Sequence, residues 1–347
     1  LDPARANTLK AIQLISSLGD TLYELNSDGE LIPELALGMP IISKDRLQIT
    51  INLRKNVFFH DGTAFNSNAI KFTFDRFKRI GTMNYILGNK IKSIETPSEY
   101  SVIINLNKPS SSLNGLLTSV NLTPISPTFY KEYSDKFLNE KFVGTGKYVL
   151  TSFSNEVQSI DPYLNYWGEK PLNKGVNFVG YSNSSSLFGA LKSKQIDVLL
   201  SNSIDDSQRK SLNNLSKNKQ FNEGNSPFTE LSFISLKTSS YPLSNLNLRL
   251  ALAKSLNRKL ISEKVSYGLR KPSRSIIPPI LKKDNQELWP KYDYLEARRL
   301  LQKENYCNGN ILKIPLTYRS NVPADKLIAL TWQEEIKNSL KDCIDIE

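Results

Sequence analysis

Between residues 311 and 346 the chain carries a strand pattern, a helix pattern and the start of a second strand, in immediate succession. Ile311 to Tyr318 alternates apolar and polar side chains, the period of a half-buried strand. Pro323 stands where a helix should start, and Leu327, Ile328, Trp332, Ile336 and Leu340 follow on one helical face. Ile344-Asp345-Ile346 then opens another strand. A helical crossover joins parallel strands, and a parallel pair needs cover on both faces. This end of the chain is thereby committed to a layered α/β domain. With 347 residues in all, two or three domains are expected, each with its own core.

The two cysteines bracket this unit, Cys307 just before the first strand and Cys343 just before the second. Parallel neighbours start at the same sheet edge, which puts the sulfurs within bridging reach. A free buried pair is the competing reading. The expectation adopted is a Cys307–Cys343 disulfide, hence an oxidising compartment.

Upstream the texture differs. Leu47, Ile49, Ile51 and Leu53 alternate with polar residues, and Val102, Ile104 and Leu106 repeat that period after the turn-prone Thr96-Pro97-Ser98. Between them, Ile70, Phe72, Thr73, Phe74 and Phe77 recur at helical spacing within Asn68 to Arg79. Residues 41–140 read as a small α+β unit. Farther on, Tyr148 to Leu150 and Val176 to Val179 read as strands, Ser186 to Lys194 as a short helix, and Val198 to Leu200 as a buried strand. Asp205 to Asn225 reads as a polar surface helix with loops. Leu248, Leu252, Leu256, Leu260 and Ile261 mark one helix reaching about Val265, and Asp293 with Glu296 forms a capping pair before Ala297 to Leu301.

Composition narrows the chemistry. One His and two Cys are too few for a zinc finger or a His-rich metal centre, so no metal or cofactor is expected. His60 is the lone candidate for acid–base work, yet His60-Asp61-Gly62-Thr63 reads as a turn after a strand. Without a second His, a Gly-x-Ser-x-Gly or clustered carboxylates, no enzyme is expected. Gly144-Thr145-Gly146-Lys147 is no P-loop, because Tyr148 stands where Ser or Thr must hold magnesium, and Lys141 where the first Gly belongs. Its glycines serve positive φ or close packing at a crossover.

The net charge of +11 is uneven. Residues 241–291 hold 11 basic and 3 acidic residues, including Arg249, Arg258, Lys259, Lys264, Arg270, Lys271, Arg274, Lys282 and Lys283. A patch for nucleic acid or anionic lipid is one reading. A solvated helix face with a Lys-rich loop is the favoured one, since no helix-turn-helix, zinc finger or RNP-type motif accompanies the charge. No nucleic-acid partner is expected.

Several segments in fixed order resemble the family 5 extracellular solute-binding proteins, the oligopeptide-, dipeptide- and nickel-binding receptors of ABC importers. They are Leu1 to Ala4, Leu22-Tyr23-Glu24, Asp28-Gly29 and Pro33 to Ala36, then Leu53 to Phe65, the most specific signature. Gly144-Thr145-Gly146-Lys147-Tyr148 is similar to a family crossover, with Lys147 in place of Pro. Tyr166-Trp167 before Lys170-Pro171-Leu172, Leu248 to Leu252 with Asn257-Arg258, and Tyr292-Asp293 with Ala297 to Leu301 complete the series. Ser235 departs from it, standing where the family usually has Asn.

The resemblance implies an α/β, periplasmic-binding-protein-like two-lobed fold that closes on its ligand, with an extra inserted α+β domain. The first lobe would comprise residues 1–40 and 143–227, the insertion 41–142, and the second lobe 228–347. Family members usually have a strand before the Leu-Asp-Pro segment and a long stretch after position 347, so the chain would be truncated at both ends and its second lobe incomplete. By position, Tyr23, Glu24 and Leu25 resemble the segment lining the first lobe, Thr145 sits in the hinge-side loop, and Phe228, Thr229, Glu230 and Leu231 match the crossover strand. Glu24 is the foremost of these, a carboxylate able to receive a cationic ligand group. The implied protein is an extracytoplasmic monomer, periplasmic or cell-surface, that delivers a small peptide or similar solute to an ABC permease. It would meet the membrane only through a lipid anchor or the permease. The alternative is a related ligand-sensing domain of a transcription regulator.

Overall fold

The computed structural model describes residues 1–133, 140–200, 203–224, 231–278, 286–320 and 322–347. They form two compact units, Leu1–Gly180 and Tyr181–Glu347.

The first unit opens with a 3-10 turn at Pro3–Arg5, then α1 (Leu9–Leu18) and an antiparallel hairpin of β1 (Tyr23–Leu25) and β2 (Leu31–Pro33). A four-stranded sheet follows, in the order β3 (Ile41–Ile42), β4 (Gln48–Asn52), β6 (Ser101–Leu106), β5 (Ile91–Ser98). The alternation seen in the sequence is the cause of its sidedness. Ile49 and Ile51 of β4 stand opposite Ile104 and Val102 of β6, and all four are buried. α2 (Ser67–Ile80), capped by Asn66, lays Ile70, Phe74 and Phe77 into the same core cluster. Each such side chain stabilises the fold by roughly 1.5–3 kcal/mol relative to exposure. α3 (Leu113–Leu116), α4 (Pro127–Tyr133) and an antiparallel meander of β7 (Tyr148–Phe153), β8 (Val157–Pro162) and β9 (Val176–Val179) complete the unit.

Its opening segment is tied down by a buried ion pair: Arg76 of α2 donates to Asp2 at 2.6 Å, with both side chains excluded from water. Thr96-Pro97-Ser98, expected as a turn, belongs instead to the end of β5. The pairing with β6 shifts between Glu95 and Ser98, because Pro97 has no N–H for the ladder.

The second unit contains α5 (Ser184–Lys192), α6 (Asp206–Lys217), α7 (Leu246–Ser255), α8 (Arg258–Ser266), α9 (Tyr294–Lys303), β10 (Leu312–Ile314), α10 (Pro323–Ser339) and β11 (Ile344–Ile346). β10 and β11 pair in parallel, Leu312 with Ile344 and Ile314 with Ile346. Their core is shared with Leu248, Leu252, Leu301, Trp332 and Ile336. Cys307 and Cys343 are joined as a disulfide across the start of this pair.

Four sequence expectations change here. The single helix over 248–265 is two, because Leu256 is extended and the Asn257 side chain accepts from the Leu260 N–H at 3.1 Å, capping a new helix. Val198 to Leu200 forms no strand; Val198 is 78% and Leu200 49% exposed, with no neighbouring strand among the described residues. The strand expected over 311–318 narrows to Leu312–Ile314, the stretch that β11 pairs. Asp293 accepts from the Glu296 N–H at 3.0 Å, but the Glu296 carboxylate turns to Arg299, so only half of the reciprocal cap forms.

Candidate ligand-binding site

The first unit places the β1 hairpin over a polar centre built on Asp20. Asp20 is buried, directly before the hairpin, and three side chains from distant sequence donate to it. Thr145 Oγ1 and Trp167 Nε1 each reach Oδ2 at 2.9 Å, and the Tyr166 hydroxyl reaches Oδ1 at 3.2 Å. Burial raises the Asp20 carboxyl above its ordinary range, and these three bonds oppose that rise. Nearby, Glu34 accepts from the Thr21 N–H at 2.8 Å. Burial, and then the Asp20 charge, push Glu34 up to about 7. Burial raises the Tyr166 hydroxyl as well, followed by the charges of Asp20 and Glu34. Arg54 donates to the Glu34 carbonyl and lies 4.7 Å from the centre of the Trp167 ring.

The crossover loop reaches this centre by close packing. A Cβ on Gly146 would sit inside the backbone of Leu18 and Gly19, and one on Gly144 would strike Leu18 and Phe142. Neither has positive φ, so of the two roles open to these glycines, close approach is the one used. His60 fastens the loop from the other side: its N–H donates to the Gly144 carbonyl and its Nε2 meets the Gly146 carbonyl, both at 2.9 Å. That contact makes Nε2 the protonated nitrogen and leaves Nδ1 buried with no partner. Burial lowers the His60 pKa. Asp61 accepts from the Thr63 N–H at 3.0 Å across the Gly62 turn, where φ is +81°. His60-Asp61-Gly62-Thr63 is a structural turn.

The sequence-derived site residues fall into distinct settings. Glu24 and Leu25 are exposed on β1. Tyr23 is fully buried in the core, and its hydroxyl donates to the Gly38 carbonyl at 3.0 Å. Thr145 is also fully buried, with its hydroxyl spent on Asp20. Leu231 is half-buried in irregular backbone, and Phe228, Thr229 and Glu230 lie outside the described residues. Asp20 and Glu34 escaped the sequence reading as site residues. The one local clue is an acid set between Gly19 and the apolar start of β1.

Four basic side chains of the 241–291 segment are engaged within the second unit. Arg249 donates to the carbonyls of Leu243 and Ser244, Arg258 to Glu287, and Arg270 to Asp206, while Lys264 pairs with Glu334. Lys282 and Lys283 lie outside the described residues. Among the described residues, no group of three or more His, Cys, Asp and Glu is arranged to hold a metal. No described helix is long and apolar enough to cross a membrane.

Comparison with known proteins places this geometry in a family. The family model described as bacterial extracellular solute-binding proteins, family 5, matches residues 30–342. The glutathione-binding protein GsiB of Escherichia coli strain 536 is 26% identical over 346 residues, covering 98% of this chain and 66% of that protein. The chain thus spans just under two thirds of that relative's length. NikZ from Campylobacter jejuni, solved with Ni(L-His), matches with a TM-score of 0.84 at 21% identity, covering 100% of this chain and 70% of that one. The periplasmic binding protein DppA from Helicobacter pylori, solved with a peptide, matches with a TM-score of 0.81 at 23% identity, with 100% and 70% covered. The structural likeness establishes the fold as that of the α/β periplasmic binding proteins. The chain belongs to family 5 of the bacterial extracellular solute-binding proteins.

Proposed function

We propose that this chain is the solute-capturing part of an extracytoplasmic receptor for an ABC importer, and that its solute is a short peptide. The observation that carries the reading is the outer edge of β1, which no second described strand covers and which is exposed at Glu24 and Leu25 while Tyr23 is buried. Among the described residues β1 pairs only with β2, and Glu24 and Leu25 are solvent-facing upon it. An extended peptide can add to such an edge through main-chain hydrogen bonds, while side chains supply selectivity. Glu24 receives a cationic group, with the half-buried Glu34 carboxyl adding to the negative potential once it ionises above about pH 7. Tyr23 and Thr145 act from the interior, holding the hairpin and Asp20 in place.

Family membership supports capture rather than catalysis, and the glutathione-binding relative and peptide-bound neighbour support a peptide-like solute. In this reading residues 1–40 with 143–227 and residues 228–347 act as two lobes, 41–142 being an insertion. The Cys307–Cys343 bridge suits an oxidising compartment. The match to solute-binding proteins favours the receptor over the regulator alternative. Calorimetric titration of the chain with glutathione and a set of di- to tetrapeptides tests the reading. Saturable 1:1 heat from at least one is expected, and no heat from any of them overturns the peptide assignment.

A further inference from the structure

A depression of about 510 Å3 opens on the first unit, lined by Asn56, Phe58, Tyr163, Asn165, Tyr166 and Trp167, with Gly62 at its rim. That volume lies within the usual range for small-molecule sites. Three of its four rings are fixed by their polar ends. The Tyr163 hydroxyl donates to the Phe59 carbonyl at 2.9 Å, and Tyr166 and Trp167 both donate to Asp20. With those groups spent on the protein, and one face of Trp167 and of Tyr166 covered by Arg54 and Lys147, the remaining carbon faces and edges of the rings are what is left for a ligand. Phe58, 41% exposed, adds a fourth ring that no core claims. The rim stays open because Gly62, at φ +81°, has nothing within 4 Å of where a Cβ would stand.

The chemistry of this lining is specific. No residue in it carries a charge, and two exposed amides stand at its edge: Asn56, and Asn165, whose side chain also donates to the Tyr163 hydroxyl oxygen and keeps its carbonyl and second N–H for a ligand. Arg54 and Lys147 already lie over the Trp167 and Tyr166 rings, at 4.7 and 5.8 Å, and oppose a cationic ligand there. The rings are held before any ligand arrives, so little ordering cost falls on binding. We propose that this depression is a binding site for an uncharged, hydroxylated ring of the sugar type, its apolar C–H face stacked on the aromatic residues and its hydroxyls on Asn56 and Asn165. The proposal does not rest on peptide capture at β1, whose residues are not part of this lining.

Saturation-transfer NMR on the 347-residue chain tests it, with methyl glucoside and N-acetyltyrosinamide as separate probes. The sugar-ring protons are expected to take up saturation in the wild type. Phe58→Ala should weaken binding about fivefold or more, the loss of one stacking ring. Asn165→Ala should weaken it less, through one lost amide, with both variants checked for native circular dichroism. Absence of transfer to the sugar overturns the proposal. So does a signal that neither substitution reduces, or uptake by N-acetyltyrosinamide with none by the sugar. Should Phe58→Ala fail to fold, Asn165→Ala decides alone.

Discussion

The indole N–H of Trp167 donates to the buried carboxylate of Asp20 at 2.9 Å, joining residues 147 positions apart. A carboxylate loses water when it is buried, and it stays only where donors replace that water. Trp167, Thr145 and Tyr166 are those donors, and together they lock the crossover loop and the start of the β1 hairpin to one point.

Trp167→Phe keeps most of the ring and deletes the donor. Urea unfolding should show a loss of about 1–3 kcal/mol, the cost of leaving a buried charged acceptor short of a bond. In a double-mutant cycle, Asp20→Asn should recover part of that loss, because a neutral amide needs the donor less. Strict additivity of the two substitutions would show that the bond contributes nothing.

Glu34 sets a base-side limit. Its carboxyl is pushed up from 4.5 to about 7, so folding disfavours the charged form. The stability tied to this group is fully present below pH 4.5 and is lost as the pH rises through about 7. Glu34→Gln should therefore raise the melting temperature at pH 8, by an amount equivalent to about 1–2 kcal/mol after allowing for partial exposure, and change little at pH 4. A pH-independent difference would contradict this.

His60 sets the opposite limit. Burial holds its pKa below the ordinary 6.5, so the neutral ring is the folded form. Its contribution is fully present above pH 6.5 and falls as the pH drops from there toward the depressed folded value. His60→Gln should flatten the acid-side decline in stability between pH 6.5 and 5, read by chemical denaturation at each pH. An unchanged slope would show that protonating the ring costs the fold nothing.

Much of the scaffold was legible in the sequence, and the reasons are local. Ile49 and Ile51, Val102 and Ile104, and the Ile70–Phe74–Phe77 face sit where one side of an element is buried, so period alone reveals them. The Cys pair was readable because parallel strands begin at one edge. Local pattern does not reveal where a helix breaks inside an apolar stripe, as at Leu256 and Asn257. Nor does it show that Val198 and Leu200 find no partner strand. The Asp20 centre was invisible for a deeper reason: its donors come from residues 145, 166 and 167, and only tertiary packing brings them to residue 20.

The disulfide closes a loop between residues 36 positions apart. Cys307→Ser with Cys343→Ser should destabilise the second unit by about 4 kcal/mol on the loop-entropy model. Differential scanning calorimetry with and without reductant reads the same change in the unsubstituted chain. An unfolding profile insensitive to both would show that the β10–β11 pairing and its helices suffice.

Capture of a peptide along β1 is open to test by amide hydrogen exchange at residues 23–25. Exchange is measured with and without a saturating concentration of whichever peptide gives calorimetric binding. Exchange in β1 should slow on binding, and Glu24→Gln should lose that protection and bind more weakly. A peptide that binds tightly while exchange at residues 23–25 is unchanged would contradict it.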